Sequence, residues 1–144
     1  MMKNVLLILS FVFFSCNKEQ KTIGTEQDVP SSDFKMYTMS EMALLMEQMY
    51  IANEKLREQI IKGDSIGEMP TYFSKITSAH LTNEKERDTF FIKKQLEFLN
   101  KQSLIYDETK DSKLTYNEMV DACITCHKVK CGGPISRIKK LYIP

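Results

Sequence analysis

The sequence predicts an all-α protein, folded as an antiparallel four-helix bundle. Apolar residues recur every three or four positions, capping residues bound these stretches, and no alternating run is long enough for a strand. The 144 residues, 42% of them hydrophobic and 27% charged, suit one soluble globular domain. Short connections between the predicted helices favour antiparallel neighbours.

The first predicted helix is the longest. Lys62-Gly63-Asp64 ends it, because glycine is favoured just past a helix end. Its apolar positions are Met39, Met42, Leu45, Met46, Met49, Ala52, Leu56 and Ile60. A short second helix is predicted after Pro70, with Tyr72, Phe73, Ile76 and Ala79 as its apolar residues.

Capping residues predict where the last two helices begin. Asn83 and Glu86 form a capping box for the third helix, whose apolar positions are Phe91, Ile92, Leu96, Phe98, Leu99 and Ile105. The fourth helix begins at a second capping box, Thr115 with Glu118, or a few residues sooner at Asp111. Its apolar face carries Tyr116, Met119, Val120, Cys123 and His127, and Gly132-Gly133-Pro134 stops it.

The N-terminal residues predict export. Lys3 and a short apolar run make residues 1–15 a signal peptide, too short to span a bilayer as a helix. Phe13-Phe14-Ser15-Cys16 resembles the lipobox of bacterial lipoproteins, in which the cysteine is diacylated and becomes the first residue. The alternative is an ordinary signal peptide with Cys16 as a bystander. Residues 16–33 are predicted to form a polar tether, and residues 34–144 the folded domain. We expect the lipid to anchor this domain to a bacterial membrane, on the side that faces the periplasm. The sequence leaves open whether this is the inner or the outer membrane.

The segment Cys123-Ile124-Thr125-Cys126-His127 predicts covalent attachment of one c-type haem. Two thiols form the thioether bonds and the histidine binds the iron, and on a helix all three side chains share one face. Export agrees with this, because such haem is attached outside the bacterial cytoplasm. Two alternatives are a zinc site completed by Cys131 and a redox-active dithiol, although the latter lacks the usual strand-then-helix context.

A haem motif near the end of a four-helix chain resembles the cytochrome c-prime family, the class II c-type cytochromes. The resemblance covers roughly residues 34–130 and implies a bundle with the haem attached to its last helix. The tail after Cys131 departs from the family pattern, because members often end soon after the histidine.

The resemblance also implies that the first helix supplies the distal side of the haem. In low-spin members a methionine of that helix binds the iron, and in high-spin members an apolar residue covers an empty site. Met46 lies nearest the family's ligand position, with Met42 as the alternative. The methionine stripe, Met39 included, could instead be flexible core filler, with all its members facing inward. His80, the only other histidine, could make a bis-histidine haem but is expected at a solvated capping position.

The predicted function is one-electron transfer rather than enzymatic catalysis, with a redox protein as partner and the membrane reached through the lipid anchor. One alternative is a five-coordinate haem protein that binds NO or CO, and another is a zinc-stabilised structural lipoprotein. Beyond residue 15 the charges balance, 19 basic against 19 acidic, which leaves no footprint for nucleic acid. The sequence leaves open whether the chain forms a homodimer. It also leaves open whether Cys131 lies near the haem edge or is a small buried residue that caps the helix. The basic tail after Gly132 is either a docking patch for a partner or a strap along the bundle.

Overall fold

The computed structural model describes residues 38–144, and in this part of the chain the all-α prediction is confirmed. Three long α-helices, α1 (Glu41–Lys62), α2 (Thr89–Leu104) and α3 (Ser112–Lys130), are joined by shorter helices and loops, without a β-strand among the described residues. The predictions on residues 1–33, Cys16 included, lie outside them. No helix within 38–144 combines the length and the apolar character needed to cross a bilayer.

Helix α1 begins and ends through local hydrogen bonds. The Ser40 hydroxyl accepts the backbone N–H of Ala43 at 3.2 Å, which satisfies one of the free donors of the first turn. Gly63 then takes the left-handed conformation, with φ of 71°, and its N–H bonds back to the last turn. The predicted end of the first helix at Lys62 is therefore confirmed.

The predicted second helix is a single seven-residue 3-10 helix, Thr71–Thr77. The prediction that the third helix starts at the Asn83 capping box is wrong. Asn83 caps only the three-residue 3-10 helix Glu84–Glu86, and α2 begins after Asp88, whose carboxylate accepts the N–H of Phe91 at 2.8 Å. The physical reason is Arg87, which donates to the carbonyl oxygens of Thr77 and Ala79 and so holds this stretch as a loop.

Helix α3 runs antiparallel to both other long helices. Its start matches the Asp111 alternative, because that carboxylate accepts the N–H of Leu114 at 3.0 Å. Against α2, Lys101 pairs with Glu118 at 2.6 Å near one end, while Lys130 pairs with Asp88 at 2.6 Å near the other.

The core lies between these helices and includes the fully buried Phe73, Tyr116, Met119 and Val120. Some positions predicted to face inward do not. Ile92 and Leu96 are exposed, because α2 turns only part of its apolar stripe toward its neighbours. Met39 is exposed because it lies before Ser40, the N-cap of α1, and so outside that helix.

The tail after residue 131 is a strap along the bundle. It forms α4 (Ile135–Ile138) and a 3-10 helix (Lys139–Leu141), and it buries Ile138, Leu141 and Ile143 in the core. The Asn117 side chain donates to the carbonyl of Ile143 and accepts its N–H, both at 2.9 Å. The tail is thus packed on the helices, as the strap alternative expected.

Candidate functional site

The motif Cys123–His127, which the sequence predicts to bind haem, occupies the C-terminal half of α3, where Cys123, Cys126 and His127 are all half-buried. Their spacing of three and four residues places them on one face of the helix, as the sequence predicts. The Sγ of Cys123 lies 3.7 Å from the Sδ of Met119, a completely buried residue one helical turn earlier. The motif therefore packs against the buried core.

His127 is held by a hydrogen bond at the end of its helix. Its Nδ1 lies 3.0 Å from the carbonyl oxygen of Cys131, while the Cys131 N–H caps the helix by donating to the His127 carbonyl at 3.0 Å. A carbonyl can only accept, so Nδ1 is the donor of this hydrogen bond, and in the neutral imidazole the lone pair is then on Nε2. Histidines that bind metals are commonly oriented in this way.

The motif lines a cleft of about 780 Å³ between α3, α1, α2 and the strap, a volume that includes space open to solvent. Its walls are mainly apolar, with Met49, Ile76, Phe91, Phe98, Ile138 and Leu141 among them. The tail thus supplies a wall of the candidate site.

Two of the predicted ligands, Met46 of α1 and His127 of α3, line this cleft together. The same two residues also line a second cleft of about 770 Å³, toward the start of α1. Met42, which is 5% exposed, borders only the second cleft, as does Cys131, whereas Cys123 borders only the first. Of the two methionines predicted as distal ligands, Met46 is therefore the one that shares a cleft with all three motif residues, and Met49 lines the same cleft.

Two ion pairs border the cleft, one between the strap and α1 and the other on α2. The Arg137 guanidinium donates to both carboxylate oxygens of Glu47, at 2.7 and 2.6 Å, and lies 3.8 Å from the centre of the Tyr50 ring. Lys94, on α2, is paired with Glu97 at 2.7 Å. The first pair fastens the strap to α1 through one guanidinium nitrogen, which contacts both carboxylate oxygens of Glu47.

The two thiols of the motif lie in surroundings that disfavour the thiolate. Burial raises the pKa of Cys123 to about 12, and burial also raises the pKa of Cys126. A redox-active pair depends on a lowered thiol pKa. The surroundings thus give the dithiol alternative no support.

The zinc alternative also finds no support in the geometry. Among residues 38–144, no group of three or more His, Cys, Asp or Glu side chains is placed to hold a metal ion, so Cys131 does not complete a set with the motif. Cys131 caps α3 as the sequence suggested, but the expectation that it is buried is wrong, because its side chain is exposed. It contributes to the site through its backbone carbonyl.

His80 stands away from the cleft. Its side chain is 85% exposed and lies 3.4 Å from the Glu84 carboxylate, on the loop between the 3-10 helices. This solvated position agrees with the expectation from sequence and gives no support to a bis-histidine haem.

Several residues of the cleft were not predicted from the sequence, among them Asn53, Glu47 and Arg137. The sequence did carry a signal for Asn53, because this polar residue lies between apolar positions of the α1 stripe. In the structure it is only 3% exposed. Arg137 had no such signal, because nothing local in the sequence shows where the tail lies.

Comparisons of the chain with protein-family models, with curated proteins and with solved structures found no match.

Proposed function

We propose that this chain is a membrane-anchored monohaem c-type cytochrome that transfers single electrons in the cell envelope. The observation that carries the proposal is His127. Its Nδ1 is committed to the Cys131 carbonyl and its Nε2 is left free, beside two cysteines that line the same cleft. An iron-binding imidazole requires this arrangement of the two ring nitrogens.

The residues present fit a haem. The cleft has mainly apolar walls, and two cysteines line it on the helix that carries the histidine. When bound, the haem would supply one-electron iron chemistry. The chain's own residues would hold it through Cys123 and Cys126 and exclude water from it with apolar side chains of α1, α2 and the strap.

The proposal extends to the fold: a four-helix haem bundle of the cytochrome c-prime kind, with the haem on its last helix. The antiparallel direction of α3 relative to α1 and α2 supports this. Asn53 on α1 meets Tyr116 near the start of α3, whereas Met46, nearer the start of α1, shares a cleft with His127 near the end of α3. In such a bundle the 3-10 helix Thr71–Thr77 stands in the place of the second helix.

Electron transfer, rather than gas binding, is proposed because of Met46. A methionine opposite the histidine would fill both axial positions, which raises the haem potential and suits one-electron transfer. Met46 lines the cleft from α1, whereas the motif lines it from α3. The remaining parts of the proposal are Cys16 as the lipid anchor and a redox protein as partner, and both rest on the sequence.

Haem attachment is tested by expressing the chain with a c-type maturation system and staining a denaturing gel for haem. We expect a stained band for the wild type and none for the Cys123→Ser/Cys126→Ser double variant. Cys131→Ser is the matched control and should stay stained, because that side chain is exposed and only its backbone contacts His127. An unstained wild type, with zinc found by metal analysis, would refute the proposal.

A further inference from the structure

Among the residues that the structure describes, three charged side chains line the cleft of the motif: Glu47, Arg137 and Lys94. The first two neutralise each other within the lining, because the Arg137 guanidinium donates to the Glu47 carboxylate. Lys94 differs, because its partner Glu97, at 2.7 Å, does not line the cleft. The cleft therefore has one positive charge that no carboxylate of its own lining balances.

Lys94 is held in place by its ion pair and by an aromatic ring. Its side chain is 14% exposed, whereas that of Glu97 is 36% exposed. The Lys94 Nζ also lies 5.9 Å from the centre of the Phe90 ring, one turn earlier on the same helix. Lys94 is thus the more buried member of this ion pair, and Glu97 is the member nearer to solvent.

The charge of Lys94 also acts on the motif itself. Burial raises the pKa of the Cys126 thiol, and the Lys94 ammonium opposes that rise, because a cation stabilises the thiolate. The Glu97 carboxylate acts in the other direction, but its effect on Cys126 is smaller than that of Lys94. Lys130, which lines the second cleft, acts in the same direction as Lys94. The ion pair thus affects the motif mainly through its positive member.

We propose that the charge of Lys94 raises the reduction potential of the haem, an inference that rests on the proposed function. Cys126 is one of the two attachment points, so the haem would lie in the cleft that Lys94 lines. Reduction lowers the charge of the iron by one, and a neighbouring cation therefore disfavours the ferric form more than the ferrous form. Solvent and salt screen this effect only in part, because the Lys94 side chain is mostly buried. Lys94 would act through its charge, without binding the iron.

The test is an optical redox titration of the haem-loaded protein in low salt. We expect Lys94→Gln to shift the reduction potential to a lower value and Glu97→Gln to shift it to a higher value, because the two variants remove charges of opposite sign. Lys93→Gln is the matched control, because it removes the same charge from an exposed neighbour that does not line the cleft. Its shift should be clearly smaller. The absorption spectra should match those of the wild type, which shows that the axial ligands are unchanged.

An unchanged or higher potential in Lys94→Gln would overturn the inference. An equal shift in Lys93→Gln would overturn it as well, because the overall charge of the protein would then explain the change. If Lys94→Gln does not fold or changes the spectrum, Glu97→Gln decides, and a potential equal to or below that of the wild type would refute the inference. A wild type without covalent haem would instead refute the proposed function, so the two failures are distinguishable.

Discussion

Replacing Met46 with alanine tests the function most directly, because the distal ligand separates an electron carrier from a gas binder. Met46 is half-buried and lines, from α1, the cleft that His127 lines from α3. Without its thioether the iron would lose one axial ligand. We expect Met46→Ala to abolish the weak far-red charge-transfer band of thioether-bound ferric haem, to lower the reduction potential and to open the ferrous iron to carbon monoxide.

Met46→Ala should also lower the free energy of unfolding, but by less than the same change at Met49. Met49 lies one turn further along α1 and is 4% exposed, so Met49→Ala should lower the free energy of unfolding by about 2–5 kcal/mol, the range for a fully buried methionine. Met46 is only partly buried, and its truncation should cost roughly half of that or less. Met49→Ala is therefore the control that loses packing but keeps the band.

Optical spectra of the oxidised protein and carbon monoxide binding to the reduced protein measure the effect, and urea unfolding measures the cost. Loss of the band in Met42→Ala rather than in Met46→Ala would move the ligand by one helical turn. A wild type that binds carbon monoxide at once and shows no such band would refute the assignment of Met46 and favour the five-coordinate alternative.

Three further changes test the anchor, the loop before α2 and the strap. Cys16→Ala should move the protein from the membrane fraction to the soluble fraction, because the acyl chains would lose their attachment point, and unchanged partitioning would contradict a lipid anchor. Hydrogen bonding from Lys130 holds the pKa of Asp88 below its usual range, so its contribution to stability is complete above about pH 4 and is lost as pH falls through the lowered value. Asp88→Asn should therefore unfold less steeply below pH 4 in acid titrations followed by circular dichroism, and an unaltered curve would exclude a role for this pair. Asn117→Ala removes two hydrogen bonds to Ile143 and should lower the free energy of unfolding by about 1–3 kcal/mol in urea, whereas a loss near zero would mean that apolar burial alone holds the strap.

Helix content and several helix ends could be predicted from the sequence because their causes are local. The left-handed turn at Gly63 needs only the glycine, and the start of α3 needs only the Asp111 carboxylate within reach of its own next turn. The shared face of Cys123, Cys126 and His127 follows from helical spacing alone. These features depend on residues within about four positions of one another, which is the distance over which a sequence pattern carries structural information.

The loop before α2 shows where local signals stop being sufficient. Asn83 has the sequence of a helix cap and forms a cap, yet the helix ends after one turn. Arg87 donates hydrogen bonds to the carbonyl oxygens of Thr77, ten positions earlier, and Ala79, eight positions earlier. These bonds hold the backbone before α2 as a loop. A capping residue sets where a helix can begin, whereas contacts with the rest of the fold set how far it continues.

The sequence by itself determined that this chain is helical and that one helix carries two cysteines and a histidine on a single face. Only the tertiary structure decided what lies opposite them. The pairing of Nδ1 of His127 with the Cys131 carbonyl, the placement of Met46 rather than Met42 in the motif's cleft, and the wall supplied by the strap all depend on how distant segments meet. The physical reason is that a cleft is the space left between helices, and its shape follows from the packing of side chains far apart in the chain.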